Sequence, residues 1–332
     1  MKEFAYLLFG AFLASLSMLS SAPLSAQGDE FVPNGKPVLR VFSNFHTTSS
    51  NGETASEFEL LRVYLGYEHH FSKHLYAKAN LDIGNPGVGN HEMAAYVKNA
   101  YLSYRASNLT VNFGMISTTQ FKVQESAWGY RYLEKSFQDE YKFNSSADLG
   151  ISAAYKVGEV LTADVIIANG EGYKRIQADS TLRTGFGLTL NPVQNLTGRV
   201  YYDFSNNVNT QSSIATFLGY ANERFSLGAE YMKQFNPDFE IDKEWDGLSF
   251  FGTFFVAPKW KLFARYDKLS SNTLEGETAD WNLSGDGQNF IAGFEFEPAR
   301  GIKLAPNFKG WSPADAGEDF MASFYLNCEI KF

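Results

Sequence analysis

Short segments in which apolar and polar side chains alternate recur along most of this chain, at strand lengths of about ten residues. In the clearest of them, Leu75–Ile83, the odd-numbered residues are all aliphatic, whereas the even-numbered residues are Tyr, Lys, Asn and Asp. Because side chains alternate between the two faces of a strand, each segment predicts a β-strand with one apolar face. The pattern is less clear in Tyr96–Tyr104, since Lys98 shares parity with Leu102. The predicted strands are Val38–Thr47, Phe58–His70, Leu75–Ile83, Tyr96–Tyr104, Leu109–Met115, Leu149–Val157, Val160–Ile167, Thr181–Leu190, Leu196–Phe204, Ile214–Ala221, Phe225–Gln234, Leu248–Val256, Trp260–Ser270, Phe290–Pro298, Ile302–Asn307 and Phe320–Phe332.

The connections between these segments alternate in length along the chain. Short turns such as Phe71–His74 and Gly158-Glu159 alternate with longer polar loops such as Thr48–Glu57 and Ser205–Ser213. Short turns at one end and long loops at the other are typical of an up-and-down membrane barrel, whereas a Greek-key sandwich does not produce so regular an alternation. We therefore predict an all-β fold, a transmembrane antiparallel β-barrel of about 16 strands over residues 38–332.

The last predicted strand runs to the final residue of the chain. Phe324, Ile330 and Phe332 lie on its apolar face, and Phe332 carries the terminal carboxylate. A membrane barrel requires such a strand, because the last strand pairs with the first and leaves no edge in lipid. The final edge strand of a secreted sandwich is the alternative. In this stretch the chain resembles bacterial outer-membrane proteins, and the resemblance implies that the barrel-assembly machinery recognises Phe332, Ile330 and Phe324.

The N-terminus has the pattern of an export signal. Lys2 precedes the apolar stretch Phe4–Leu19, and small residues follow, with a cleavage site predicted after Ala26. Residues 27–37 form a short polar lead-in. After residue 26 no apolar run approaches the length of a transmembrane helix. The formal net charge of −9 disfavours nucleic acid as a partner. These features predict export to the bacterial outer membrane, with its lipid as the surroundings of the barrel.

Charged residues of both signs lie on the parity opposite to the apolar faces. A dry interior would penalise them, whereas a water-filled lumen accommodates them, as expected for a barrel of this size. Acidic residues including Glu68, Asp82 and Glu295 share this parity. The basic residues predicted to form the pore wall are Arg40, Arg62, Lys78, Arg199 and Arg265.

The connection Ser117–Ser146 is the third outer loop and is about thirty residues long. Loops of this length in compact proteins usually have a function of their own. Seven aromatic residues could anchor it to the inner wall of the barrel, and its four basic and four acidic residues could face a pore. We predict that the loop folds into the lumen and forms a constriction whose charges set ion preference. A surface lid and a contact between subunits are the alternatives. The predicted constriction residues are Lys122, Glu125, Arg131 and Glu134.

Several stretches resemble the phosphate-selective porin O/P family. They are GMISTTQFKVQE at Gly114–Glu125, SSADLGISAAY at Ser145–Tyr155, VIIANGEGY at Val165–Tyr173 and the terminal Phe332. The resemblance implies an outer-membrane channel, commonly a homotrimer, with Lys122 on the pore loop. Phosphate-selective members line the pore with a dense series of arginines, whereas this loop has a single Arg. The departure favours a passive channel for small hydrophilic solutes over a phosphate-specific one.

Two other functions are compatible with a barrel of this kind. A closed barrel could act as a surface adhesin or receptor through its outer loops, and an outer-membrane phospholipase would be an enzyme of the same architecture. No serine lies in a G-x-S-x-G nucleophile elbow. His69, His70 and His74 cluster at one turn without a Cys or carboxylate set to complete a metal site. We therefore predict a non-enzymatic protein with no metal and no cofactor.

Overall fold

A computed structural model describes residues 31–85 and 93–332, and residues 33–332 form one compact unit. The predicted signal peptide, residues 1–26, lies outside the described residues. The chain forms a closed barrel of sixteen antiparallel strands in which sequence neighbours pair. The predicted fold class and strand number are confirmed. The strands are β1 (Asn34–Ser50), β2 (Glu53–His70), β3 (Leu75–Gly84), β4 (Ala94–Ala106), β5 (Leu109–Ser117), β6 (Ala147–Val157), β7 (Leu161–Ala168), β8 (Arg183–Leu190), β9 (Leu196–Asn206), β10 (Thr210–Ala221), β11 (Phe225–Phe235), β12 (Glu244–Ala257), β13 (Trp260–Ser271), β14 (Gly287–Ala299), β15 (Ile302–Pro313) and β16 (Met321–Lys331).

The barrel closes through antiparallel pairing of β1 with β16, in register from Arg40 opposite Lys331 to Ser49 opposite Ala322. Beyond the last residue of β16, Phe332 and Leu39 exchange two backbone hydrogen bonds of 3.3 Å each. The pairing satisfies backbone groups that would otherwise be exposed to lipid. The last strand therefore closes the barrel, as the sequence predicted.

Two outer loops are much shorter than predicted. The predicted loop Thr48–Glu57 is instead a continuation of β1 and β2, which join at Asn51 and Gly52. These two residues have φ of 52° and 75°, as a tight hairpin turn requires. Likewise, β9 and β10 extend into the predicted loop 205–213. Both predictions were wrong because the outer parts of these strands lie beyond the lipid and need no apolar face.

A β-bulge explains the broken alternation around Lys98. The register between β3 and β4 shifts after Asn80, so that Asn99 faces Asn80 while Val97 faces Leu81. Lys98 is the extra residue on the bulged strand. The bulge turns its side chain inward, where it is buried.

The exterior of the barrel is apolar. Large hydrophobic side chains on the outward parity keep much of their surface exposed, including Phe113 at 67% and Leu218 at 58%. Phe324, Ile330 and Phe332 of the last strand are likewise exposed. Such a surface is stable only against lipid. No α-helix among the described residues is long and apolar enough to cross a membrane.

Candidate pore constriction

The third outer loop, residues 118–146, lies inside the barrel. It contains two short helices, α1 (Lys122–Trp128) and α2 (Phe137–Glu140). From β5 the loop crosses the lumen, where the Tyr132 hydroxyl donates to Glu295 on β14 at 2.9 Å. Nearby, the Lys309 ammonium on β15 donates to the carbonyl of Leu133 at 2.6 Å. The loop therefore folds into the lumen, as predicted.

Aromatic side chains of the loop pack on the inner face of the barrel. The Trp128 ring contacts Phe251 on β12 at a centroid distance of 5.6 Å, and the Tyr130 ring contacts Phe263 on β13 at 4.5 Å. Trp128 and Tyr130 are buried in a hydrophobic cluster within the barrel. The expectation of a hydrated interior is wrong for this side of the lumen, because the loop supplies the apolar partners that make a packed core favourable.

Two basic residues predicted for the pore wall hold this loop in place. Arg199 on β9 binds Asp164 at 2.7 Å and donates to the carbonyl of Thr119 at 2.8 Å, near the start of the loop. Arg265 on β13 binds Asp267 at 2.7 Å and donates to the carbonyl of Lys135 at 2.5 Å. Both guanidinium groups are buried. They act as anchors for the loop backbone, since each is surrounded by acceptors and has little contact with solvent.

Arg131, at the centre of the loop, is also buried. Its guanidinium binds Glu125 at 2.7 Å and Asp139 at 2.5 Å, and its Nε donates to the Tyr64 hydroxyl on β2 at 3.2 Å. Desolvation alone would lower the pKa of Arg131, but Tyr64, Asp139 and Glu125 outweigh it and raise the pKa well above the usual value. Arg131 therefore stays positively charged and joins both helices of the loop to the wall.

Three cations lie within hydrogen-bond distance of the Tyr64 hydroxyl. Besides Arg131, Arg62 donates to it at 3.0 Å and Lys98 donates at 3.3 Å. Asp82 on β3 balances this charge, with its carboxylate 3.2 Å from Arg62 and 3.9 Å from Lys98. Lys98 was not among the pore-wall or constriction residues predicted from the sequence. The broken alternation at that position was the available signal, because a charged side chain on the apparent lipid parity indicates a bulge.

Glu134 connects the loop to the far wall. Its carboxylate lies 3.2 Å from Lys309 and 3.8 Å from Arg265, and it accepts from the Asn289 amide at 2.7 Å. Burial raises the pKa of Glu134, although Lys309 and Arg265 oppose the shift. Of the four predicted constriction residues, Glu134 therefore holds the loop against the barrel through ion pairs with Lys309 and Arg265. The ion pairs of Arg131 lie within the loop, and its hydrogen bond to Tyr64 reaches the wall.

Lys122 is the first residue of α1, and its side chain is exposed within the barrel. Among the described residues, none places a carboxylate within ion-pair distance of its ammonium. Desolvation inside the barrel, followed by the positive charges of Arg105 and Lys78, lowers the pKa of Lys122. Glu125, one turn further along, keeps 34% of its side chain exposed. Of the predicted constriction residues, these two keep the most contact with solvent, although the Glu125 carboxylate is bound by Arg131.

The remaining predicted wall residues are paired along the inner face. The Arg40 Nε lies 3.4 Å from Glu329, and the Lys78 ammonium lies 3.0 Å from Glu68. Each of these two wall cations therefore has a carboxylate partner. Within residues 31–85 and 93–332, no group of three or more His, Cys, Asp and Glu side chains is arranged to hold a metal ion.

The barrel is similar in fold to several solved outer-membrane proteins. The barrel is similar to the outer-membrane channel DcaP of Acinetobacter baumannii, with a TM-score of 0.68, 13% identity, and coverage of 93% of this chain and 100% of that one. It is similar to Salmonella typhi OmpF, solved with daunomycin, with a TM-score of 0.68, 12% identity and coverage of 89% and 97%. Pseudomonas putida OprB gives a TM-score of 0.64, 11% identity and coverage of 90% and 94%.

The protein has the fold of a bacterial outer-membrane porin. At these identities the likeness concerns the fold. No protein-family model and no curated protein sequence matches the chain. The closed barrel and its apolar exterior are those of a protein embedded in the bacterial outer membrane.

Proposed function

We propose that the protein is a passive diffusion channel through which small hydrophilic solutes cross the outer membrane. The observation that carries this proposal is the position of the third outer loop, which is held inside the barrel against one part of its wall. Its contacts with the wall run from β9 through β16 and β1 to β2. For example, the Gln138 amide donates to Glu230 on β11 at 2.9 Å, and the ring centroids of Tyr132 and Phe42 on β1 lie 6.4 Å apart. The rest of the wall faces the free side of the loop.

The charges on that free side support a weak preference for anions. The Lys122 ammonium experiences the positive charges of Lys78 on β3 and Arg105 on β4, against the negative charges of Glu125 and Asp164. Fixed charges at a narrow point set ion preference through the local potential. Lys78 is itself paired with Glu68, Glu125 with Arg131 and Asp164 with Arg199, so the preference depends on Lys122 and is slight. A dense arginine series of the phosphate-selective kind is not found among the described wall residues.

Single-channel recording tests the proposal. Protein refolded in detergent is inserted into a planar lipid bilayer, and current is recorded under symmetrical salt and then under a salt gradient. The proposal expects stable conductance steps and a reversal potential slightly on the anion side. Steps in multiples of three would support a homotrimer, as the sequence resemblance implies. A folded barrel that never conducts would overturn the channel and favour a surface receptor.

A further inference from the structure

A cavity of about 770 Å³ lies beneath the third outer loop, towards the short-turn end of the barrel. The underside of α1 forms its roof, from Lys122 to Trp128, continued by Gly129 and Tyr130. Its rim includes Asn195, in the short turn between β9 and its predecessor β8. Short turns lie on the periplasmic side of such barrels, so this cavity is the inner vestibule beyond the constriction.

One wall of the vestibule is aromatic and flat. A Cβ on Gly219 would come within 2.6 Å of the Phe217 ring, and a Cβ on Gly228 would come within 2.3 Å of the Phe251 ring. Because these two positions lack side chains, both rings lie flat along the wall, with 15° between their planes. Phe217, Phe255 and Tyr130 line the cavity on this side. Phe217 and Tyr130 are each only 4% exposed, so the half-buried Phe255 is the ring that an apolar body can pack against.

The rest of the lining carries more positive than negative charge. Its single carboxylate, Glu295, is already bound by Lys261 at 2.6 Å, Lys303 at 3.3 Å and the Tyr132 hydroxyl at 2.9 Å. Lys122, at the other side of the cavity, has no such partner among the described residues, as noted above. A ligand that carries a negative charge would supply the partner that the protein does not.

We propose that the vestibule is a binding site for organic anions with a flat apolar body, such as aromatic carboxylates. The carboxylate binds the Lys122 ammonium, and the ring packs against Phe255. The inference rests on the proposed function, because it concerns solutes that have passed, or are about to pass, the constriction. On this proposal the channel not only conducts solutes but also binds organic anions in its vestibule.

Calorimetric titration of the refolded barrel in detergent tests the site without requiring conduction. Sodium benzoate is the probe, and its neutral analogue benzamide and the ringless anion acetate are the comparison ligands. We expect benzoate to bind about tenfold more tightly than benzamide, because one charge-assisted hydrogen bond is equivalent to roughly that factor. We expect it also to bind more tightly than acetate, because acetate lacks the ring that packs in the cavity. Equal affinity for benzoate and benzamide, or for benzoate and acetate, would overturn the proposal.

Two substitutions test whether the ligand binds in the cavity. Lys122→Gln is expected to weaken benzoate binding by about tenfold and to leave benzamide binding unchanged, since it removes only the charge. The matched control is Lys142→Gln, which changes another exposed lysine of the same loop outside the cavity lining. Phe255→Ala, at a half-buried position of the aromatic wall, is expected to weaken both ring-bearing ligands. Unchanged benzoate affinity in both Lys122→Gln and Phe255→Ala would overturn the site.

The two proposals fail separately in this design. Benzoate binding that depends on Lys122 in a barrel that never conducts would contradict the channel but retain the site. Conductance without Lys122-dependent binding would retain the channel and contradict the site.

Discussion

The Glu134 carboxylate, on the loop that follows β5, lies 3.2 Å from the Lys309 ammonium on β15, so this ion pair joins the loop to a distant part of the wall. Removing one partner of a buried pair leaves the other charge uncompensated. Both side chains are partly exposed, and the desolvation that raises the pKa of Glu134 offsets part of the attraction, so we expect Glu134→Gln to lower the free energy of unfolding by only about 1 kcal/mol. Denaturant titration of the refolded barrel measures the loss. Glu159→Gln, at an exposed short turn, is the matched control and should change little. An equal effect of both changes would contradict the anchoring role.

Acid should loosen the loop through Asp139. Burial by itself would raise the pKa of Asp139, but Arg131, Lys98 and Lys135 outweigh it and lower the pKa below the usual 3.8. A carboxylate with a depressed pKa in the folded state contributes stability above its unfolded pKa, and the contribution is lost as the pH falls through the folded value. We therefore expect the midpoint temperature of thermal unfolding of the wild type to decrease as the pH is lowered from about 5 to below about 3.

The Asp139→Asn variant isolates this contribution. It lacks the titrating group, so it should start less stable at pH 7 and lose less on acidification. Thermal melts at a series of pH values compare the two proteins. Parallel curves for wild type and variant would show that other carboxylates cause the acid loss.

Ion preference should depend on Lys122 more than on any other charge of the third outer loop. Its ammonium is exposed inside the barrel and lacks a carboxylate partner among the described residues, whereas Arg131 is already bound to Glu125 and Asp139. Lys122→Glu replaces the free cation by an anion, so the reversal potential under a salt gradient should shift towards cations. Lys142→Glu makes the same charge change at another exposed position of the loop. If both variants shift the reversal potential equally, the preference arises from net charge and not from the position of Lys122.

Assembly should depend on Phe332. Its backbone completes the closing pair with Leu39, and 76% of its surface is exposed on the outside of the barrel. Deleting Phe332 removes both hydrogen bonds and the terminal aromatic ring, so we expect less folded barrel in the outer membrane. The heat-dependent mobility of the protein in detergent gels measures the folded fraction. Phe320→Ala, which removes an exposed aromatic at the outer end of the same hairpin, serves as control. Normal assembly of the deletion would contradict the signal that the resemblance to outer-membrane proteins implies.

The sequence predicted the strand segments within the lipid better than the segments beyond it. Within the lipid, the alternation of Leu75–Ile83 and similar segments follows from the two environments of a barrel wall, so strand order and number could be derived. Beyond the lipid the outer surface contacts water, and the alternation disappears. For this reason the sequence predicted a long loop where the structure has a tight turn at Asn51-Gly52, although an Asn-Gly pair favours such a turn.

The sequence by itself determined the fold class, the number of strands, the closing of the barrel through its last strand and the entry of the third outer loop, because these depend on patterns of polarity and length. Only the tertiary structure decided which charges face water. Arg199, Arg265, Arg131 and Glu134 belong to the same polar parity or loop as Lys122, yet each is bound in an ion pair or to a loop carbonyl. Partners far apart in the chain meet only when the loop has packed, so neither the anchors nor the unpaired Lys122 could be assigned from local sequence.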